Sequence, residues 1–518
     1  MSGASLHTVD YAILIGYALV VLAVGAWVSR RSPDVDELFL AGRSLGPAVI
    51  GLSLFASNIS STTLIGLPGA AWEHGISVAN YEWMAALVLL FTAVFVLPVF
   101  IGRRLTTVPE LLEQRFDARM RKYLSASSLF LSVVLDTAGS LYAGALVLML
   151  FIPGLSLAPT CAGLAVFAGL YTAFGGLRAV AYTDVLQSCV LLVASALLAG
   201  LVFARFDFDW TQVEAAIDPE HLSLIRPIDD PALPWLGTLI GLPILGFYYW
   251  TMNQYVAQRL LGARDVGSAG YGALIAAALK LLPLFIMVLP GAMAAALFTD
   301  LARPDTVFPR LVAEFAPPGL AGLLIAGLMA AIMSSVDSTL NSASTLVIVD
   351  FVQPRRADAS REQLARWGRL CTGALMVIAA IWAPMIDNFP GLFAYLQQTF
   401  AYVTPPLVAV FAVAFLSARV GTKAALRGVV SGHLISALLF VGAQLGWHEV
   451  HFTIVAGGLF ALTVAAIFAW QALAKLPAAS PEQRAAVARA SYTPAPSPVR
   501  VGAIVLTAAT LGLVLAFW

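Results

Sequence analysis

The sequence predicts an all-α polytopic membrane protein with about 14 transmembrane helices. Three observations lead there. Of 518 residues, 60% are hydrophobic and only 11% charged, where soluble domains carry roughly a quarter charged residues. Apolar stretches long enough to cross a bilayer recur along the whole chain. The basic residues between those stretches fall on alternate sides, as the positive-inside rule requires.

The predicted spans lie near 9–29, 46–71, 77–101, 123–152, 155–175, 180–204, 232–257, 268–298, 318–350, 368–387, 391–417, 425–446, 452–474 and 499–518. The first, Tyr11 to Val28, is longer than a signal-peptide core and has no basic flank before it, so it reads as a retained helix. With the N-terminus outside, the outer loops hold only Arg205, Arg226, Arg303 and Arg310, while Lys280 lies within a span. The rest of the 29 basic residues, Arg30, Arg31, Arg259 and Arg489 among them, then face the cytoplasm. An even number of spans returns the C-terminus to the outside. The long outer loops at about Phe206–Pro231 and Thr299–Pro318 have room for short surface helices, and Leu476–Pro498 reads as a linker.

Composition and motifs exclude several functions. A net charge of zero argues against nucleic acid as a partner. Cys161, Cys189 and Cys371 form neither a disulfide framework nor a zinc spacing. No G-x-x-x-x-G-K-[ST] loop binds ATP, and no nucleophile–base constellation suggests an enzyme. His448 and His451 read as a solvated outer loop rather than a metal site.

Within the ninth span, Ser334, Ser335, Asp337, Ser338, Asn341 and Ser342 share one broad helical face, with Val336 and Leu340 opposite. A polar face is costly in a spanning helix and should meet protein, water or an ion. Hydroxyl and carboxylate oxygens suit a hard cation, so the working expectation is a sodium site.

Two spans look discontinuous. The second carries a polar run from Ala56 to Thr63, then Gly66, Pro68 and Gly69; the seventh is interrupted around Gly241, Pro243 and Gly246. Broken helices free backbone carbonyls for an ion or a substrate, and interruptions five spans apart fit a five-plus-five inverted repeat. Five ionisable residues stand in predicted spans: Glu82, Asp136, Asp184, Lys280 and Asp337. Each is a candidate functional residue. Glu82 and Lys280 are expected to approach each other across a polar cavity suited to a polyhydroxyl ligand. Asp184 fits either a helix N-cap or a cation ligand, and Asp136 has no assignment. Trp83 and Tyr249 are candidates for stacking on a ligand.

Several motifs then resemble the sodium:solute symporters, most closely the sodium/glucose cotransporter branch. They are Asn58-Ile59-Ser60, Tyr81-Glu82-Trp83-Met84, Gly175-Gly176-Leu177-Arg178 with Thr183-Asp184, Tyr249-Trp250 with Asn253-Gln254-Tyr255 and Gln258-Arg259, and Ser334-Ser335-Val336-Asp337-Ser338 with Asn341-Ser342. The resemblance runs in order from about residue 10 to about 420. It implies one transporter domain over 1–518 with a LeuT-type fold. Residues 9–29 would form an extra first helix, 46–418 the inverted-repeat core, and 425–518 three further helices. It also implies alternating access driven by sodium. A first sodium would meet backbone carbonyls of Ala56, Ile59 and Ala331 and hydroxyls of Ser334 and Ser335. A candidate second sodium site would use Asp184, Ser334, Asp337 and Ser338.

For cargo, Glu82, Lys280 and Gln397 match sugar-contacting residue types of the bacterial galactose branch, and Tyr249 its inner gate. Thr63, Ala85 and Gly246 depart from that branch, and Gly246 leaves room for a bulkier sugar. The sialic-acid branch would place an arginine in the fourth span, where this chain has Asp136. The implied function is a sodium-coupled symporter of a neutral sugar or polyol in a plasma or bacterial inner membrane. Rival readings are symport of another neutral or zwitterionic solute, such as myo-inositol or an amino acid, or a sodium-leak channel or sensor on the same fold.

Overall fold

The computed structural model describes residues 7–28, 35–152, 154–301, 303–388, 392–488 and 494–517. Arg30, Arg31 and Arg489, which entered the charge alternation, lie outside the described residues. Among the described residues, eleven helices are long and apolar enough to cross a membrane, or twelve if one bent pair counts as a span. The two other expected spans, 155–175 and 232–257, are present in altered form.

Helix α1 is Thr8–Val28. The bent pair is α2, Pro47–Asn58, and α3, Ser61–His74; their axes turn by 58°. Next comes α4, Asn80–Phe91. Helix α5 runs from Leu157 to Phe203 through a kink at Gly176, which joins the expected fifth and sixth spans. Gly176 sits at φ 61°, and a Cβ there would stand 2.9 Å from the Leu38 carbonyl, so strain and crowding both demand glycine. Asp184 therefore lies two turns inside a helix and is no N-cap.

The seventh span is a string of short helices: α6, Trp235–Ile240; α7, Leu242–Phe247; a π-helical turn, Tyr248–Met252; and α8, Gln254–Leu261. The expected interruption is present at Gly241, between α6 and α7, and a second one, with extended backbone, falls at Asn253. The Asn253 side chain caps α8 by accepting from Tyr255 N–H. Beyond it lie α9, Val266–Leu279; α10, Leu320–Thr345; α11, Leu392–Leu416; α12, Thr422–Gln444; and α13, Phe452–Leu473.

Helix α10 packs against α5 over a long interface, and α1 lies against both; α2 packs on α9, and α11, α12 and α13 pack on one another. Small residues permit these approaches where lipid supplies little drive for helix association. At the α2–α9 contact, a Cβ on Gly51 would meet Ile275 at 2.5 Å, and one on Gly272 would meet Ile50 at 2.5 Å. Asp10 of α1 accepts hydrogen bonds from the N–H groups of Gly319 (2.8 Å) and Gly322 (2.7 Å). A carboxylate there both satisfies free donors and complements the helix dipole at the start of α10. The apolar interior forms two large clusters, one holding Ile59, Trp83 and Ala331, the other Ala85, Trp250 and Phe400. A polar cavity draws its walls from both sides of that division.

Candidate functional site

The break between α2 and α3 leaves carbonyls without their helical donors. Ser60 N–H, which would serve Ala56 in a continuous helix, bonds Asn58 O at 2.8 Å; Thr63 N–H, which would serve Ile59, bonds Ser60 O at 3.0 Å. The serine face of α10 meets this junction and is wholly buried. Ser335 Oγ donates to Ser57 O at 3.4 Å, and Ser57 Oγ lies 3.2 Å from both Ser334 Oγ and Ser338 Oγ. Ala331 and Ile59 share one buried cluster beside it. Two carbonyls released by the break and two hydroxyls one residue apart are the oxygen set a hard cation takes.

The candidate second set assembles around a cation already present in the chain. Asp184 accepts from Ser334 Oγ (2.5 Å), Ser53 Oγ (2.5 Å), Ser57 Oγ (3.2 Å) and Arg259 Nη2 (2.9 Å). Arg259 also donates to Ser53 Oγ (2.6 Å), Ser57 Oγ (2.5 Å), Tyr255 O (2.6 Å) and Ser338 Oγ. Arg259 is thus fully buried and no cytoplasmic loop residue, contrary to the charge alternation. All eight residues of α8 are buried around it. Asp337, equally buried, shares its surroundings with Tyr17 of α1.

A cavity of about 140 Å³ opens beside these sites. Glu82, Gln397, Tyr249, Thr63 and Gly246 line it, together with Asn58, Asp136, Trp250 and Phe400. Lys280 does not reach the wall. Its ammonium sits behind Glu82 as the carboxylate's ion-pair partner, 5.1 Å from the Trp250 ring centroid. Trp83 points away from the cavity into the apolar core, and Trp250 takes the wall position instead. At Gly246 a Cβ would stand 3.2 Å from Val88, so part of the space glycine frees is used by packing. Tyr249 and Tyr255 are joined through their hydroxyls. Both Asp136 and Tyr249 stand on π-helical turns, Leu131–Thr137 and Tyr248–Met252. Such turns rotate side chains off the α-helical register and often occur at functional sites; hydropathy carries no sign of them.

At the helix ends that the charge alternation assigns to the cytoplasm, the chain is cross-tied. Arg121 pairs with Asp350 (2.6 Å) and Glu113 (2.5 Å), and Arg43 donates to the carbonyls of Leu261 (3.2 Å), Arg104 (3.0 Å) and Leu105 (3.0 Å). The two histidines between α12 and α13 do structural work. His451 caps α13, and His448 Nε2 lies 2.9 Å from Leu439 O.

Residues 38–432 match the model of the sodium:solute symporter family. The chain is similar to the sodium/myo-inositol cotransporter 2 of Mus musculus, 35% identical over 475 residues, covering 84% of this chain and 70% of that protein. It is also similar to the sodium/glucose cotransporter 1 of Oryctolagus cuniculus, 33% identical over 472 residues, covering 83% and 71%. Among solved structures it superposes on a substrate-bound, outward-open sodium-coupled sialic acid symporter with a TM-score of 0.79. Identity there is 23%, and the match covers 91% of this chain and 99% of that one. A nucleobase-cation-symport-1 family transporter in a closed conformation gives a TM-score of 0.57 at 16% identity, covering 88% and 99%. These likenesses establish a LeuT-type fold.

Proposed function

We propose that this chain, which belongs to the sodium:solute symporter family and couples solute movement to sodium, carries a neutral sugar or polyol as its solute. The observation that supports the cargo is the Glu82–Lys280 pair. Its carboxylate lines the cavity while its ammonium lies behind. A carboxylate compensated from the rear keeps acceptor capacity for hydroxyl groups in front, and the Gln397 amide adds a donor and an acceptor. Trp250 and Tyr249 offer ring faces to the apolar side of a sugar. Relatives named for myo-inositol and for glucose fit this chemistry, so myo-inositol stands beside the hexoses as a candidate.

Sodium binds between the carbonyls of Ala56, Ile59 and Ala331 and the hydroxyls of Ser334 and Ser335. The second set at Asp184, Ser338 and Asp337 becomes available to an ion only when Arg259 withdraws. Because Ser57 and Ser335 belong both to the sodium junction and to the cavity wall, an ion there orders groups that the cargo meets. Linkage is reciprocal, so cargo must tighten sodium by the same factor. The charge alternation supports a plasma or bacterial inner membrane orientation with both termini outside.

The test is uptake of labelled glucose, galactose and myo-inositol into proteoliposomes with and without an inward sodium gradient. Saturable, gradient-dependent accumulation of at least one is expected. Uptake of all three that ignores the gradient, or none at all, overturns the reading.

A further inference from the structure

Asp136 is the acid that the sodium and sugar sites leave unused. It stands on the π-helical turn Leu131–Thr137 and lines the cavity. The turn is anchored: Thr137 Oγ1 donates to Ser132 O at 2.7 Å and lies 2.7 Å from Thr339 Oγ1 of α10. The backbone that carries the carboxylate is therefore held in place.

Its charge lacks the ion-pair partner that Glu82, Asp184 and Asp350 each have. Glu82 has Lys280, Asp184 has Arg259, and Asp350 has Arg121. Asp136 receives only the Asn253 amide, at 3.4 Å, and among the described residues no Lys, Arg or His pairs with it. A lone carboxylate partly withdrawn from water is costly, and a cation delivered into the cavity would relieve that cost. The surroundings suit an ammonium group. Tyr249 and Tyr255, hydroxyl to hydroxyl, stand in the same wall, and Ser140 lies one turn beyond Asp136. A carboxylate beside tyrosine rings offers a charge-assisted hydrogen bond together with a cation–π face. The same carboxylate repels a carboxylate on the cargo, which is how a site rejects a near-isosteric ligand.

We propose that Asp136 selects the charge of the cargo, so that the cavity prefers an amino-substituted sugar or polyol to its neutral parent and rejects the corresponding sugar acid. This rests on the sugar or polyol reading above and changes only its charge: the preferred member of that class is the cationic, amino-substituted one. The ammonium of the cargo meets Asp136 while its hydroxyls meet Glu82 and Gln397.

Competition against sodium-driven uptake of a transported neutral sugar tests it, using glucose, glucosamine and glucuronate, and the inositol and inosamine pair, at a pH where the amines are protonated. In the wild type the amine should compete about tenfold better than its neutral parent, and the acid should not compete. Asp136→Asn should bring the amine-to-neutral ratio close to one and let the acid compete; Asp136→Glu should keep the wild-type ranking. A flat ranking in the wild type, or a ranking unchanged in Asp136→Asn, overturns the proposal. If Asp136→Asn does not fold, the wild-type and Asp136→Glu rankings decide. Sodium-driven uptake of the neutral sugar with no charge discrimination overturns this inference alone. Failure of every sugar and polyol to be taken up overturns the sugar reading and this inference with it.

Discussion

Asp184–Arg259 and Glu82–Lys280 are both acid–cation pairs buried among the helices, and they are built differently. Around Asp184 and Arg259 every direction is taken: four serine hydroxyls and the Tyr255 carbonyl complete the hydrogen bonds of both ions. Around Glu82 and Lys280 the cation is enclosed, touching the carboxylate and the Trp250 face, while the carboxylate keeps a side open to the cavity. A saturated pair staples helices together, because its ions have no capacity left for a ligand. An open pair is a binding surface whose charge has been balanced in advance. The saturated one ties α2, α5, α8 and α10; the open one joins α4 to the end of α9.

The contrast breaks most sharply at Arg259. Arg259→Met leaves Asp184 charged and enclosed, and about 3–5 kcal/mol of stability should be lost. The expected result is a collapse of folded yield or a large fall in the melting temperature in detergent, partly restored by adding Asp184→Asn. An unchanged melting temperature would show that the guanidinium is not the compensating charge. Lys280→Met should cost less, about 1–3 kcal/mol, because Glu82 can turn to cavity water. Sodium-driven uptake should nevertheless fall to background, since the cargo would face an unbalanced acid. A stability loss as large as that of Arg259→Met would erase the distinction between the two pairs. The smallest effect belongs to Ser335→Ala, which removes one hydroxyl at the α2–α3 break. The sodium concentration for half-maximal uptake should rise about tenfold, equivalent to about 1.4 kcal/mol, with the melting temperature in sodium-free buffer within a degree or two of wild type. Unaltered sodium dependence would move the ion away from Ser335.

Much of the site could be read in the sequence because it is local. The serine face of α10 follows from 3.6-residue periodicity, and the broken second span from a polar run with Gly and Pro nearby. Glu82 and Lys280 were singled out as charges in apolar surroundings, which is enough to expect them to pair. Other features were out of reach for specific reasons. Arg259 sits near the end of a span, where a basic residue ordinarily reaches the cytoplasm; only the turn of α8 after Asn253 carries it inward. Trp83 and Trp250 are equivalent in composition, and which ring meets the cavity depends on how α4 and the π-helical turn at Tyr248–Met252 are rotated. Asp136 turns toward the cavity because of a π-helical turn that no residue type announces.

The sequence by itself determined where the helices lie, which of them break, and which face of the ninth is polar. A chain in lipid must satisfy its backbone within each segment, so these properties are written in short windows. Only the tertiary structure decided which charges meet. Asp184 and Arg259 are 75 residues apart and Glu82 and Lys280 198 apart, and their pairing depends on helix rotation and packing over those distances. Whether a buried acid is a staple, a binding surface or a charge awaiting its partner is a property of that packing.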